Sequence, residues 1–345
     1  MARSLRRSVY QKTTGLYRGV NLSGLENGDT VFPGTINVDY TQNSLAYYQY
    51  IARRGFNIVR LPILWERIQQ TVNGSLDATY KGYIDNNIGW ALANNLKIIL
   101  DIHNYGGRDV TGSPQVIGDG TLTQAHFVDL WTKLSTAYKD DTTVLVYNLM
   151  NEPHNMPVAT TPSTYKTTAT WTLAAQAAID AIRANNDAHI ISVNTDWWSS
   201  VPNYLESFSY GTNPDMWVTD SLTGKLWIQM HCYFDSTYEG AYAGADRYWS
   251  GSGKDIRFFG DYLKNVATWA QSKGVTLFIG EYAVPSGDSA YLTAFNDMMN
   301  VMDEYGIHGC YFALGSNFNA SLKSITPILN FAEDRQKMQI LLKHL

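Results

Sequence analysis

Eight short apolar runs recur along this 345-residue chain, most of them followed by a polar loop and a longer segment with helical periodicity. They are LYRGVNL (16–22), NIVRLPI (57–63), KIILDIHN (97–104), VLVYNLMNE (144–152), HIISVNTD (189–196), LWIQMHCYFD (226–235), TLFIGEYAV (276–284) and IHGCYFALG (307–315). Between them, the 3.6-residue spacing predicts helices over 44–55, 78–95, 124–139, 167–186, 255–274 and 289–306. Gly55, Asn95, Asn186, Gly274 and Gly306 stand where those helices would stop, and glycine and asparagine tolerate the left-handed backbone of a helix end. Strands alternating with helices run parallel, joined by helical crossovers. Eight of them, with no linker or break in composition, predict an α/β fold: a single (β/α)8 TIM barrel over residues 1–345, with 1–14 a short N-terminal extension. An open doubly wound sheet would normally carry a glycine-rich phosphate turn after its first strand. GVNLSGLENG lacks that spacing, and no Walker-type lysine follows.

A barrel builds its site from the carboxyl ends of its strands. Here those ends supply Arg60, Asp101 with His103, Asn151 with Glu152, Asp196 with Trp197, His231 with Tyr233, and Glu281. Strand residues two apart share a face, so Asp101 with His103, and His231 with Tyr233, can both point into the barrel mouth. Glu152 ends a run that reads as buried on both faces, where a charge needs a polar cavity, a partner or a proton. Alone, such a glutamate is more often one that simply reaches solvent. Six strands delivering polar or aromatic groups to one rim reverse that reading.

The pattern narrows the chemistry. Metal-dependent barrel hydrolases pair histidines closely on the first strand, and LYRGVNL has none, so no metal or other cofactor is expected. No serine or cysteine nucleophile has a base in a recognisable arrangement. Cys232 and Cys310 sit inside apolar runs and read as buried free thiols. A net charge of −5 argues against nucleic acid or an anionic membrane as partner, and no stretch is long enough to span a bilayer. Aromatic residues make up 13% of the chain, which suits a cleft where flat sugar faces stack on rings. Two strand-end glutamates remain, and paired carboxylates are what glycosidic cleavage requires. One is a protonated acid for the leaving oxygen; the other is ionised, to attack the anomeric carbon or activate water.

The chain resembles the retaining glycoside hydrolases of family five, within the large clan of (β/α)8 glycosidases. NLMNEPH is similar to the clan's acid/base signature and FIGEY to its nucleophile strand, while GVNLSGLENG, FNIVRLPILWERIQ and DIHNYGG resemble stretches of the cellulase-type endoglucanases. The likeness runs from about Leu16 to Pro327. It implies Glu152 as general acid/base, Glu281 as nucleophile, and Asn151 as the partner of the sugar 2-hydroxyl. Arg60 and Tyr233 would hold Glu281 ionised and oriented, and His103 and His231 would line the cleaved subsite. A charged Glu281 would in turn favour a proton on Glu152.

The resemblance implies an endo-acting β-1,4-glucanase, secreted and monomeric, whose partner is a β-glucan polysaccharide or oligosaccharide. A β-mannanase, a mixed-linkage glucanase and a non-catalytic sugar-binding barrel are the alternatives. With no appended binding module visible, soluble or amorphous substrate is expected. Trp197 resembles an aromatic platform on the leaving-group side, and Trp198 reads equally as packing. Family members usually carry a tryptophan on the eighth strand as the floor of the cleaved subsite. Here Phe312 aligns with it, and Ser316, Asn317 and Phe318 replace the tryptophan-rich loop that often follows.

Overall fold

A computed structural model describes residues 15–110, 112–157, 169–195, 197–201, 218–242 and 257–345, without the side chains of Ala169 and Trp197. The predicted extension, residues 1–14, lies outside the described residues. All eight apolar runs form strands: β1 (Arg18–Leu22), β2 (Ile58–Ile63), β3 (Lys97–Ile102), β4 (Val144–Asn148), β5 (Ile190–Asn194), β6 (Leu226–Tyr233), β7 (Thr276–Ala283) and β8 (His308–Leu314). Every neighbouring pair is parallel. The sheet closes where Arg18 of β1 pairs with Gly309 of β8 and Gly19 pairs with Ile58 of β2. The result is a (β/α)8 barrel with no free strand edge.

The six predicted helices are present, each ending one or two residues before its predicted stop. They are α1 (Leu45–Arg53), α2 (Ala78–Ala93), α3 (Gln124–Tyr138), α4 (Ala169–Ala184), α5 (Phe258–Ser272) and α6 (Ser289–Glu304). The five expected stop residues all adopt positive φ: Gly55 at 89°, Asn95 at 56°, Asn186 at 55°, Gly274 at 67° and Gly306 at 68°. At the start of α2, Asp77 accepts the Tyr80 amide, and Asp288 does the same for Ala290 at the start of α6.

Alternation along the strands divides the core in two. One cluster packs the strands against the helices, with Trp65, Trp131 and Trp171 fully buried. A separate cluster of Ile58, Ile99, Val146, Trp227, Phe278 and Cys310, drawn from six strands, forms the inner layer. Cys232 and Cys310 are both buried free thiols. Two residues further along the same strands come the polar groups of the mouth: Arg60 after Ile58, Asp101 after Ile99, Asn148 after Val146 and Gln229 after Trp227. The apolar layer thus gives way to a polar one within a single period of the pleat.

The loops above the strands are tied down by buried basic side chains. Arg67 donates to the carbonyls of Leu25, Gly28 and Pro33 and lies 4.1 Å over the Tyr40 ring, which fixes the loop after β1. A hairpin, Gly107–Val110 with Ser113–Val116, stands over β3. Lys337, wholly buried, donates to the carbonyls of Val284 and Leu322 and so joins the loops after β7 and β8. At the opposite end, Arg18 and His344 both contact Asp303, at 2.8 and 2.6 Å, tying the C-terminal segment to β1 and α6.

Candidate active site

Arg60 is fully buried at the centre of the mouth and makes four polar contacts that organise the rest. It donates to Glu281 Oε1 at 2.8 Å, Asn21 Oδ1 at 2.7 Å and Asn151 Oδ1 at 2.6 Å, and lies 3.0 Å from Asp101 Oδ1. Burial opposes its charge, yet Asp101 and Glu281 hold its pKa above the ordinary value. Tyr233 donates its hydroxyl to Glu281 Oε2 at 2.6 Å, so each oxygen of that carboxylate has a donor. Burial alone would push the Glu281 pKa up. The imidazole of His231, the Arg60 guanidinium, the imidazole of His103 and the Tyr233 hydroxyl outweigh it and bring the value to about 2. Glu281 is an anion at any ordinary pH.

Glu152 faces it from the other side. Its backbone is in the left-handed region at φ 42°, uncommon for a non-glycine residue and typical of functional sites. His231 Nδ1 lies 2.5 Å from Glu152 Oε1 and 3.7 Å from Glu281 Oε2, bridging the two carboxylates. One oxygen of each glutamate and the His231 nitrogen all lie within 4.8 Å of one another. Three such donors could hold a divalent ion, a possibility hidden from the sequence because they come from three strands. Gln229 Nε2 sits 3.0 Å from His231 Nε2, at the end of the ring away from both glutamates.

His103 and Phe312 complete the floor. His103 Nδ1 lies 2.7 Å from Asp101, whose charge raises the imidazole pKa against the effect of burial, and Asn151 Nδ2 reaches His103 Nε2 at 3.3 Å. The Phe312 ring is half-buried and parallel to His103, with centroids 6.5 Å apart, and Phe318 meets it edge-on at 5.3 Å. Lys323 Nζ lies 5.0 Å from the Tyr233 ring centre and 5.4 Å from that of Phe312. From His103 a cavity of about 460 Å³ runs sideways between Phe32, Tyr105, Arg108 and Gln115.

This constellation has known counterparts. The profile of the Cellulase family (glycosyl hydrolase family 5) matches residues 17–318. The chain belongs to glycosyl hydrolase family 5. It is 28% identical over 232 residues to the manganese dependent endoglucanase Eg5A of Phanerodontia chrysosporium, covering 65% of this chain and 54% of that protein. To endoglucanase EG-II of Hypocrea jecorina it is 27% identical over 242 residues, covering 66% and 54%. The chain thus spans about half the length of these curated relatives. Among solved structures, XacCel5A in complex with cellopentaose superposes with a TM-score of 0.81 at 28% identity, covering 95% of this chain and 99% of that one. Pseudomonas stutzeri endoglucanase Cel5A in complex with cellobiose gives 0.82 at 26% identity, covering 95% and 92%.

Of the residues singled out in this family-5 chain from sequence, the structure brings together Arg60, His103, Asn151, Glu152, His231, Tyr233, Glu281 and Phe312. Asp196 and the side chain of Trp197 lie outside the described residues. For Trp198 the sequence left platform and packing equally open. Trp198 is 41% exposed at φ 57° and stacks on His154 at 4.3 Å, and His154 in turn meets Tyr105. Sequence reading also passed over Asn21, Gln229 and Lys323. Gln229 carried a usable signal, standing two residues before His231 on the same strand face. Lys323 carried none, since it lies in a loop whose path no local pattern fixes.

Proposed function

We propose that this chain hydrolyses β-1,4-glucosidic bonds within cellulose-type polysaccharides, with net retention of anomeric configuration. The observation that carries the reading is the pair Glu152 and Glu281, with carboxylate oxygens within 4.8 Å across the mouth and Glu281 held ionised. Retaining pairs stand roughly 5–5.5 Å apart, whereas inverting pairs leave roughly 6.5–9.5 Å for a water. Membership in family 5 and likeness to endoglucanases along the barrel support the choice of glucan.

The chemistry runs in two balanced steps. In the first, a Glu281 oxygen attacks the anomeric carbon while Glu152 gives its proton to the glycosidic oxygen. The C–O bond breaks, the shortened chain leaves with a new hydroxyl, and a glycosyl ester to Glu281 remains. In the second, Glu152 takes a proton from water, the oxygen attacks the same carbon, and Glu281 departs as the carboxylate. Arg60 and Tyr233 bear on the attacking group: their donors orient it before attack and receive its charge again when it leaves. Asn151 presents Nδ2 beside His103, where a 2-hydroxyl can accept from it. Tyr105, His154 and Trp198 form a partly exposed aromatic strip on the leaving-group side. A polymeric substrate cannot enter a cell, so action outside it is part of the proposal, as is a monomer with one cleft per chain.

The test is reducing-sugar release from carboxymethyl cellulose, barley glucan and glucomannan, with proton NMR of the first anomer formed. Release from the glucans with the β-anomer first is expected; the α-anomer first would establish inversion instead. Glu281→Gln should abolish turnover on every substrate. Glu152→Gln should spare aryl cellobiosides with good leaving groups far more than polysaccharide. Equal loss on both substrate types would reverse or remove that division of labour.

A further inference from the structure

We propose that Gln229 is a positioning residue that fixes the tautomer of His231, and through it decides which oxygen of Glu152 carries the transferred proton. The inference rests on the reading of Glu152 as the acid/base.

Gln229 is wholly buried on β6, on the same inward face as His231. Its Oε1 accepts the hydroxyl of Ser192, a buried residue of β5, at 3.0 Å. With the amide in that orientation, Nε2 lies 3.0 Å from His231 Nε2. An amide nitrogen only donates, so this ring nitrogen must offer its lone pair and the proton resides on Nδ1. The other end of the ring gives the same answer. Nδ1 faces Glu152 Oε1 at 2.5 Å and the ionised Glu281 at 3.7 Å, where a lone pair would meet negative charge. Space for the amide exists because residue 280 is glycine: a Cβ there would lie 2.1 Å from Gln229 Nε2.

Ser192, Gln229, His231 and Glu152 therefore form a chain in which each group donates to the next. No proton travels along it; its polarity is what matters. When Glu152 is protonated, Oε1 is already engaged as the acceptor of the His231 N–H, so the acidic proton sits on Oε2. With the opposite tautomer, the Nδ1 lone pair would face the carboxyl group and hold that proton in a hydrogen bond. The departing sugar oxygen would then leave without it.

Nitrogen-15 NMR of the histidine-labelled chain reads the tautomer directly: wild type should show His231 as Nδ1–H, and Gln229→Met a mixture of both forms. The same variant should keep kcat/KM on dinitrophenyl β-cellobioside within about threefold. On cellotetraose it should fall about 30-fold, part of the roughly 10²–10⁴ that general acid catalysis supplies. Ser192→Ala should show a weaker loss of the same kind. An Nε2–H tautomer in the wild type overturns the proposal without any variant. So does an equal loss on both substrates together with a lower Tm, the mark of a merely structural glutamine. Glu152→Gln in the same assays separates the two readings. If it shows no leaving-group dependence, the acid assignment itself fails; if it does and Gln229→Met does not, only the role of Gln229 fails.

Discussion

At Phe312 the chain departs from its family while the electrostatics around Glu281 stay intact. The Arg60–Glu281–Tyr233 contacts do not involve it, so losing the tryptophan usual at this position leaves the environment of Glu281 untouched. What changes is the floor. The ring is presented to the mouth, parallel to His103 and beneath Lys323, and offers less area than an indole and no N–H. Phe312→Ala should therefore lower kcat/KM on cello-oligosaccharides about tenfold, equivalent to about 1.4 kcal/mol of transition-state binding. Phe312→Trp should remain active and bind more tightly at that subsite. Steady-state kinetics well below Tm checks both; an alanine variant that loses Tm but keeps kcat/KM within twofold would make the ring packing only.

Between elements, the loops that frame Glu281 are held by one buried amine. Lys337 joins the segment just past β7, three residues beyond Glu281, to the carbonyl next to Lys323. Burial, with a smaller push from Arg335, brings its pKa down to about 7, against an ordinary 10.5. The sign of the linkage follows. Between those two values the unfolded chain holds the proton and the folded chain does not, so this group's contribution to stability rises with pH. Lys337→Met removes it. The stability of wild type relative to that variant should grow by up to about 2 kcal/mol from pH 7 to pH 9. Denaturant melts at the two pH values measure it, and an unchanged gap would mean that this proton is not linked to folding.

For the molecule as a whole, closure of the barrel depends on the seam between β1 and β8, and a buried ion cluster sits beneath it. Arg18 of β1 donates to Asp303 of α6 and to the Ile307 carbonyl just before β8, while His344 brings in the C-terminal segment. Burial raises the Asp303 pKa, but the hydrogen bonds from His344 and Arg18 outweigh it and leave the value below its ordinary 3.8. Asp303→Asn strands a nearly buried guanidinium, which should cost roughly 3 kcal/mol near neutral pH. Because the carboxylate's folded pKa is depressed, its contribution is present above pH 3.8 and lost as pH falls through the lower folded value. Urea melts of wild type and variant should thus converge in acid; a constant difference would show that charge plays no part.

The sequence by itself determined what is local or strictly periodic. Eight apolar runs became eight strands, and five glycines and asparagines became five left-handed helix stops, because each depends on a few neighbouring residues. It also placed Arg60, His103, Glu152, His231, Tyr233 and Glu281 at the mouth, since a residue's face on a strand follows from parity and its depth from the end of the apolar run. Only the tertiary structure decided distances between strands far apart in the chain. It set the two glutamates close enough for retention and turned Gln229 onto His231. It stacked Trp198 on His154 in the open, and it brought Lys323 back over the rings of Tyr233 and Phe312. The physical reason is the same in each case. Barrel curvature and loop path fix those contacts, and both are set by packing summed over the whole molecule, so no short stretch of sequence encodes them.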